Sequence, residues 1–347
     1  MPKLLAITHS TFDPASRFRV MQLLPYFRAA GWGTTHRPIR PSLYWQSPFR
    51  NPRLSWASRA AVDVLRRLTV RRTGALAGGH EVVLVNRELP MGAERLLRCN
   101  PRLIFDFDDA LHLGLMPEHF AFMCRNAACS IAGNETLAAQ ARAHSPRVKV
   151  VPTLVDTDAY TFKKPERPGQ PVRVAWLGSD YSIRETLFPH LDLLARAQAV
   201  TPFRLVVISR PRPAIVHPKL DWTFVEWSPQ VECQVSEHAE IGIMPLQDTP
   251  YQQAKCGLKL LEYLAAGLPV IASPVGVNRY ILQQSGAGRA ASTPDEWAGA
   301  LAALCEDRDL RAHLGARGRS FCVQHYSIAA WLPRWLEILD EVRNFQP

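Results

Sequence analysis

The sequence predicts an α/β protein built from two units, each with a parallel sheet. Three observations predict this class. Short β-type runs alternate with helical stretches, the alternation begins again after a polar segment with three prolines at 157–171, and 347 residues are enough for two cores. Ligands of such sheets bind beyond the carboxyl ends of the strands, so the cleft between two units is the expected site.

Five strands are predicted in the first half of the chain, because five short apolar runs are separated by helical or turn-forming stretches. The helical stretches lie at 16–30, 91–99 and 134–144. The predicted strands are LLAIT (4–8), EVVLV (81–85), RLIFDF (102–107), CSIAG (129–133) and VKVVP (148–152).

The pattern restarts in the second half, with a helical stretch at 184–199 among five strands. These strands are VRVAWLG (172–178), FRLVVIS (203–209), WTFVEW (222–227), IGIMPL (241–246) and PVIAS (269–273). We therefore expect a first domain at 1–165 and a second domain at 166–326. A Trp- and Leu-rich helix within 327–347 is expected to pack back on the first domain.

The composition excludes several classes of protein. Apolar residues make up 47% of the chain and charged residues 21%, as in an ordinary globular protein. No apolar run approaches the ~18 residues of a membrane span, and the first strand is too short for a signal peptide. The seven cysteines include no CxxC pair, so neither a disulfide framework nor a zinc site is expected. Scattered cysteines without a disulfide framework predict a location in the reducing cytoplasm.

The net charge of +10 is concentrated in the first half of the chain. Residues 1–165 contain 23 Lys and Arg against 12 Asp and Glu, whereas 166–347 contain 18 against 19. Seven arginines and one acid fall in 50–72. This segment predicts either a helix on an anionic membrane surface or a solvated helix with a buried apolar face. The basic segments lack an aromatic platform or recognition helix, so no nucleic acid is expected. In the segment 50–72, the helically spaced apolar residues are Leu54, Ala61, Leu65 and Leu68.

The segment KCGLKLLEYLAAGLPVIAS (255–273) predicts a helix that begins after Gly257 and carries a charged stripe. Lys255, Lys259 and Glu262 follow i, i+4 and i+7 spacing and share one face. Lysines at the positive end of a helix dipole are unfavourable unless an anion binds there, and a ribose hydroxyl bound beside that anion would reach the glutamate. The alternative is a surface ion pair between Lys259 and Glu262.

Two further stretches follow strands and carry residues suited to phosphate chemistry. VAWLGSDYS places Gly178 and Ser179 between a buried strand and a helix, where backbone N–H groups favour phosphate. FDFDDAL (105–111) has the D-x-D spacing of a site for a metal diphosphate. Its Asp106 and Asp108 also fit the nucleophile and acid of a haloacid-dehalogenase-type phosphatase.

The run GLKLLEYLAAGLPVIAS resembles the nucleotide-sugar motif of the family 4 (group 1) glycosyltransferases. These are retaining enzymes with the GT-B fold, in which two Rossmann-like domains face each other across a cleft. The resemblance covers nearly the whole chain and implies a nucleotide-sugar donor as substrate, no cofactor and no metal. Further pieces occur in the expected order, namely DPASRFRV, IFDFDDALHL, AGNETLAAQA, VVPTLVDTDAY, VAWLGS and IGIMPLQD.

The resemblance assigns donor contacts at the helix start. Glu262 matches the second glutamate of the E-x7-E motif, which binds the ribose hydroxyls. The first glutamate, which usually contacts the donor sugar, is replaced here by Ala254. Gly257 and Leu258 begin the helix against which the donor diphosphate is expected to lie.

The resemblance also assigns contacts outside that helix. Gly178 matches the turn that faces the diphosphate, but the arginine that usually follows it is Ser179. Lys255, Lys259 and Arg184 are the candidates to supply the missing positive charge. Val225 lies where the nucleobase normally meets backbone.

Five residues of the first half are candidates for contact with the sugar, the acceptor or phosphate. Asp108 falls near the position where the family often has a histidine facing the donor sugar. The other four, at or after predicted strand ends, are Arg17, Arg19, Arg87 and Glu88.

The sequence therefore predicts a retaining, metal-independent glycosyltransferase of the hexosyltransferase type. A carbohydrate or lipid-linked acceptor, a role in polysaccharide or glycoconjugate biosynthesis, and a peripheral position on the inner face of the membrane through 50–72 are expected. Lys255, Lys259 and Asp108 are the predicted catalytic residues. Two alternatives stay open, a non-catalytic nucleotide-sugar-binding relative, which Ala254 suggests, and the phosphatase that uses Asp106 and Asp108.

Overall fold

The structure, a computed structural model, divides into two compact units. The first comprises residues 1–153 and 331–347, and the second comprises 154–330. The division falls twelve residues before the predicted boundary at 165/166, because 154–162 pack within the second unit. Arg50, Glu88 and most of the predicted 157–171 linker lie outside the described residues, which are 1–39, 47–49, 51–87, 92–114, 117–162 and 171–346.

The first unit has a six-stranded sheet in which all pairs of neighbouring strands are parallel, in the order β2-β1-β3-β4-β5-β6. The strands are β1 (Lys3–Thr8), β2 (Gly33–Pro38), β3 (Val82–Asn86), β4 (Leu103–Phe107), β5 (Cys129–Ala132) and β6 (Val148–Val150). The helices are α1 (Leu24–Ala29), α2 (Pro52–Ala77), α3 (Ala93–Cys99), α4 (Pro117–Asn126) and α5 (Glu135–Arg142). A π-helical segment and a 3-10 turn, Ser16–Val20 and Met21–Leu23, precede α1.

Five of these strands lie where the sequence predicts them. The sixth, β2, is an edge strand with the sequence GTTHRP, and most of its residues are half-buried. It carries neither an apolar run nor a clear apolar alternation, and β1 holds it through backbone pairing from Lys3 with Gly33 to Thr8 with Pro38. Sequence patterning therefore does not reveal it.

The second unit repeats the architecture with a parallel sheet in the order β12-β11-β10-β7-β8-β9. Its strands are β7 (Val172–Leu177), β8 (Phe203–Ser209), β9 (Trp222–Glu226), β10 (Ile241–Met244), β11 (Val270–Ala272) and β12 (Gly288–Ala290). Its helices are α6 (Asp180–Ser182), α7 (Leu191–Val200), α8 (Pro229–Cys233), α9 (Val235–His238), α10 (Pro250–Gln253), α11 (Leu258–Ala265), α12 (Val277–Ser285), α13 (Pro294–Glu306) and α14 (Arg308–Tyr326).

The order of this sheet places the carboxyl ends of β7, β10 and β11 side by side. The loops that follow β7 and β10 carry the two motifs predicted to face a diphosphate. The core beneath them is apolar and includes Trp176 on β7 and Trp297 on α13, which are both buried. A rigid sheet thus positions the candidate site.

The last helix, α15 (Ile328–Arg343), belongs to the first unit from Trp331 onward. Trp335 is buried, and its ring meets Phe27 of α1 edge to face with centroids 5.9 Å apart. Glu341 forms an ion pair with Lys149 on β6. The last helix therefore packs into the core of the first unit.

Among the described residues, no helix is long and apolar enough to cross a membrane. In the same part of the chain, no group of three His, Cys, Asp or Glu side chains is arranged to hold a metal ion. Metal independence stays a prediction.

Candidate functional site

The start of α11 is shaped by a glycine in the left-handed region. Gly257 precedes the helix with φ of 71°, a conformation that L side chains rarely adopt. A Cβ at this position would also lie 2.9 Å from Ile281 Cδ1. Gly267, with φ of 73°, follows the carboxyl end of the helix. Between them the helix buries Leu260, Leu261 and Leu264, so its position against the sheet is fixed.

Lys259 joins the two motifs that the sequence predicts to face a diphosphate. Its Nζ donates a hydrogen bond of 2.7 Å to Ser182 Oγ in the helical segment that follows Gly178. The same Nζ lies 5.2 Å from the ring centroid of the buried Trp176 on β7. An ammonium group over an indole is held by the ring quadrupole. The first turn of α11 and the loop after β7 therefore form one site.

The environment of Lys259 disfavours its charged form. Burial lowers the pKa of the Lys259 ammonium to about 7, and the nearby Lys255 lowers it further, whereas Glu262 opposes both effects. A lysine with this pKa exchanges its proton near neutral pH. A bound anion would favour the charged form, because it adds negative charge beside the ammonium.

Lys255 also lies at the entrance to α11. Its Nζ lies 4.7 Å from the ring centroid of Tyr251, and its side chain is half-buried. Two lysines thus flank the positive end of the helix dipole, as the sequence predicts. Their contact with a phosphate stays a prediction.

Glu262 is buried one turn into α11, with 2% of its surface exposed. The phenol of Tyr160 donates a hydrogen bond of 3.4 Å to its Oε1. The sequence motif VVPTLVDTDAY contains Tyr160, but nothing in its pattern marks the tyrosine as a partner of a residue 102 positions away. One oxygen of the carboxylate is therefore engaged within the second unit.

The turn after β7 has little room at Gly178. A Cβ there would lie 2.6 Å from Trp176 Cη2 and 2.9 Å from Lys259 Cε, closer than real Cβ atoms approach other groups. Ser179 caps the following helical segment, because its Oγ accepts a hydrogen bond from the backbone N–H of Ser182 at 3.2 Å. The absence of a side chain at Gly178 thus makes the approach of Lys259 sterically feasible.

Arg184 does not join this cluster. Its guanidinium pairs with Asp180 at 3.1 Å on the surface, and 66% of its side chain is exposed. The role of Arg184 in supplying the positive charge missing at Ser179 stays a prediction, because its surface pair with Asp180 is weak and does not fix the side chain. Lys259, by contrast, lies against the Gly178 turn, with its Cε 2.9 Å from the position of a Cβ there.

Two other predicted donor positions lie in the second unit. Ala254, where the family has an acid, is fully buried at the end of α10. Val225 is half-buried on β9, one of the two edge strands of the sheet. Whether Val225 meets a nucleobase stays a prediction.

In the first unit, Arg87 and Asp108 come together at the carboxyl ends of β3 and β4. Arg87 Nε donates to Asp108 Oδ1 at 3.2 Å, and its Nη2 lies 3.5 Å from Asp109 Oδ2. Arg87 adopts φ of 66°, the left-handed region, which costs a non-glycine residue about 1 kcal/mol. These residues form a polar cluster where ligands of a parallel sheet bind. Contact with a sugar or an acceptor stays a prediction.

Arg19 and Asp106 contradict the roles that the sequence suggests for them. Arg19 Nε donates to Asp106 Oδ2 at 3.2 Å, its Nη2 contacts Oδ1, and its Nη1 donates to the carbonyl of Val151 at 2.7 Å. Both side chains are buried, so Arg19 faces no phosphate or acceptor. Burial raises the pKa of Asp106, whereas the charge of Arg19 opposes this rise.

The burial of Asp106 also contradicts the phosphatase alternative. A nucleophilic aspartate must reach the phosphorus atom of a substrate, but Asp106 is 0% exposed and its oxygens bind Arg19 and the amide of Asn86.

Arg17 is half-buried, and its guanidinium carbon lies 5.0 Å from the ring centroid of Phe18. The predicted contact of Arg17 is untested, and Glu88 lies outside the described residues.

A family model described as glycosyl transferases, group 1, matches residues 184–307. This match includes α11 and confirms the resemblance found in the motifs. No curated protein matches the chain.

Solved structures match nearly the whole chain at low sequence identity. A sucrose-phosphate synthase from Thermosynechococcus elongatus is 16% identical, with a TM-score of 0.72 over 99% of each chain. Anabaena HepE in complex with UDP and glucose is 13% identical, with a TM-score of 0.69 over 98% of this chain and 100% of that chain. WaaG, a glycosyltransferase involved in lipopolysaccharide biosynthesis, is 15% identical, with a TM-score of 0.61 over 96% and 99%. The fold is GT-B, as predicted.

Proposed function

We propose that this protein is a retaining glycosyltransferase that uses a UDP-sugar as donor. The observation that carries the proposal is the hydrogen bond from Lys259 to Ser182, which joins the start of α11 to the loop after β7. The match of residues 184–307 to group 1 glycosyltransferases supports the reaction class. UDP is chosen as the nucleotide because the HepE structures contain UDP, UDP with glucose, or UDP-glucose.

In this proposal the donor diphosphate lies against the first turn of α11 and the turn at Gly178. Lys255 and Lys259 offset the negative charge that develops on the leaving phosphate, and no metal ion is needed. Glu262, whose Oε1 accepts a hydrogen bond from Tyr160, also accepts one from a ribose hydroxyl in this proposal. Helix N–H groups at Leu258 add further donors.

The proposed reaction keeps the configuration at the anomeric carbon. The acceptor hydroxyl attacks the anomeric carbon on the face that the phosphate leaves, and the bond from that carbon to the β-phosphate oxygen breaks. The same phosphate oxygen takes the proton of the acceptor hydroxyl. A protonated Lys259 beside that oxygen would stabilise the departing anion. The acceptor is proposed to be a glycan or a lipid-linked molecule of a cytoplasmic polysaccharide pathway.

Calorimetry with UDP-glucose, GDP-mannose and ADP-glucose tests the donor. We expect UDP-glucose, or another UDP-sugar, to bind and the other two to bind at least tenfold more weakly. The Glu262→Gln variant keeps the shape of the side chain but removes its charge. Loss of a charged hydrogen bond of 1.5–3 kcal/mol predicts about ten- to a hundredfold weaker binding.

The matched control for Glu262→Gln is Glu306→Gln, an exposed glutamate at the end of α13. It should bind UDP-glucose like the wild type. Circular dichroism must show that both variants are folded. If no nucleotide sugar binds to the wild-type protein, the transferase proposal is rejected.

A second candidate is a relative that binds a nucleotide sugar without transferring it. Ala254 favours it, because this fully buried alanine stands where the family usually has the glutamate that contacts the donor sugar. The two candidates differ in turnover. Release of UDP from UDP-glucose in the presence of a lipid or glycan extract supports the transferase, whereas tight binding without release over a wide acceptor panel supports the second candidate.

A further inference from the structure

Helix α2 exposes most of the apolar side chains that its sequence spaces along one face. Leu54 is 53% exposed, Leu65 51% and Leu68 44%, and Ala61 is also exposed. Val64 beside them is 56% exposed. We call these five residues the outer stripe. The alternative of a solvated helix with a buried apolar face is therefore wrong for these residues.

A different face of α2 packs against its own unit. Val62 is 7% exposed, Thr73 6% and Ala77 0%. Arg66 lies on the same side and pairs with Asp63 at 3.2 Å. Because the inner contacts use small and polar residues, the fold of the first unit does not need the leucines of the outer stripe.

Exposed arginines border the outer stripe. Arg67 follows Val64 by three residues, and Arg71 and Arg72 follow Leu68 by three and four residues, so they lie on neighbouring parts of the helix surface. Within Pro52–Ala77 there are six arginines and one acid, Asp63, which gives a net charge of +5. Trp56, near the start of the helix, is 73% exposed.

We propose that the outer stripe of α2 docks on an anionic phospholipid surface. The leucines and Val64 enter the region between headgroups and acyl chains, and the arginines contact lipid phosphates. A second copy of the chain fits less well, because two helices of charge +5 would repel each other. A nucleic acid would use the arginines but leave the apolar stripe in water. The surface is distinct from the site at Lys259.

Vesicle co-sedimentation tests the proposal with the full chain. The wild type should bind vesicles of phosphatidylcholine mixed with phosphatidylglycerol and bind pure phosphatidylcholine at least tenfold more weakly. The double variant Leu65→Glu, Leu68→Glu should lose at least tenfold in affinity for the anionic vesicles, because it replaces apolar contact with like charge. The matched control is Val216→Glu, which changes a 91% exposed valine of the second unit and should bind as the wild type does.

A second pair of variants tests the electrostatic part. Arg67→Gln with Arg71→Gln should weaken binding to anionic vesicles about twenty-five-fold, at about fivefold per arginine near a charged surface. Arg196→Gln, an exposed arginine on α7, is the control. The fluorescence of Trp56 adds a local readout, because a blue shift on vesicle addition should disappear in Trp56→Phe. Every variant should keep the UDP-glucose affinity of the wild type.

Three results would overturn the proposal. The first is equal binding of the wild type to neutral and anionic vesicles, or no binding to either. The second is a leucine double variant that binds anionic vesicles like the wild type. The third is a concentration-dependent dimer in analytical ultracentrifugation that the leucine double variant dissociates, which would assign the outer stripe to a second copy of the chain.

Discussion

Replacing Lys259 by methionine should abolish the pH dependence of UDP-sugar binding near neutral pH. Methionine has a similar length and keeps contact with the buried Trp176, but it carries no charge. In the wild type, the ammonium lies over that indole and has a pKa of about 7. Only its protonated form can attract a diphosphate.

The direction of the effect follows from the lowered pKa. Below about pH 7 the lysine is charged in the free protein and attraction to the diphosphate is complete. As the pH rises through 7 the free protein loses this proton, so binding must restore it and the affinity falls. If the bound lysine stays protonated, the affinity falls about thirtyfold between about pH 6 and about pH 8.5, since each pH unit above the pKa costs a factor of ten.

Isothermal titration calorimetry with UDP-glucose measures this slope. UDP-glucose is preferable to UDP, because the terminal phosphate of UDP has a second pKa near 6 and would titrate in the same range. Lys259→Arg keeps its charge at every pH and should give a flat profile if the larger side chain still binds the donor. Lys219→Met, which changes an exposed lysine of the same unit, should keep the slope of the wild type.

A flat profile in the wild type would refute the reasoning, as would a thirtyfold fall that persists in Lys259→Met.

The same substitution has an expected consequence for the ligand-free protein. Removing a cation that burial disfavours should raise the melting temperature at neutral pH by a few degrees. Stability and donor binding would then change in opposite directions.

Three further predictions concern other parts of the two units. Gly178→Ala should weaken UDP-glucose binding at least tenfold, because its Cβ would lie 2.9 Å from Lys259 Cε, whereas Gly299→Ala, with no atom within 4 Å of the added carbon, should not. Asp106→Ala should lower the free energy of unfolding in urea by about 3–5 kcal/mol, since its buried arginine partner is left uncompensated, and an unchanged midpoint would contradict the ion pair. Tyr160→Phe should weaken UDP-glucose binding about fivefold in calorimetry, because the glutamate of α11 loses a hydrogen bond.

Much of the second unit follows from its sequence. The turn at Gly178 and the helix after Gly257 are marked by local chemistry, and parallel strands bring such loops to one edge. The strand β12 escapes this reasoning, because Gly288–Ala290 is short and only its neighbour β11 defines it. The contact of Tyr160 with Glu262 escapes it too, because it joins positions 102 residues apart.

Charged residues were the least predictable part of the first unit. Arg19 looks like a ligand-facing residue because it follows a strand, but its partner Asp106 lies 87 positions further along the chain. Which arginine is buried depends on long-range packing, and local spacing carries no information about it. For the leucines of α2, helical spacing predicts that they share one face of the helix. It does not predict whether the rest of the protein covers that face.

The discontinuity of the first unit has a consequence for synthesis and for truncation. The ring of Phe27 meets Trp335, which a ribosome adds only after it has synthesised the whole of the second unit. The first unit therefore cannot complete its core before the second unit has been synthesised, although domains made first usually fold first. Removal of residues 331–347 should expose Phe27, which packs against Trp335, whereas the apolar core around Trp176 and Trp297 contains no residue of this segment.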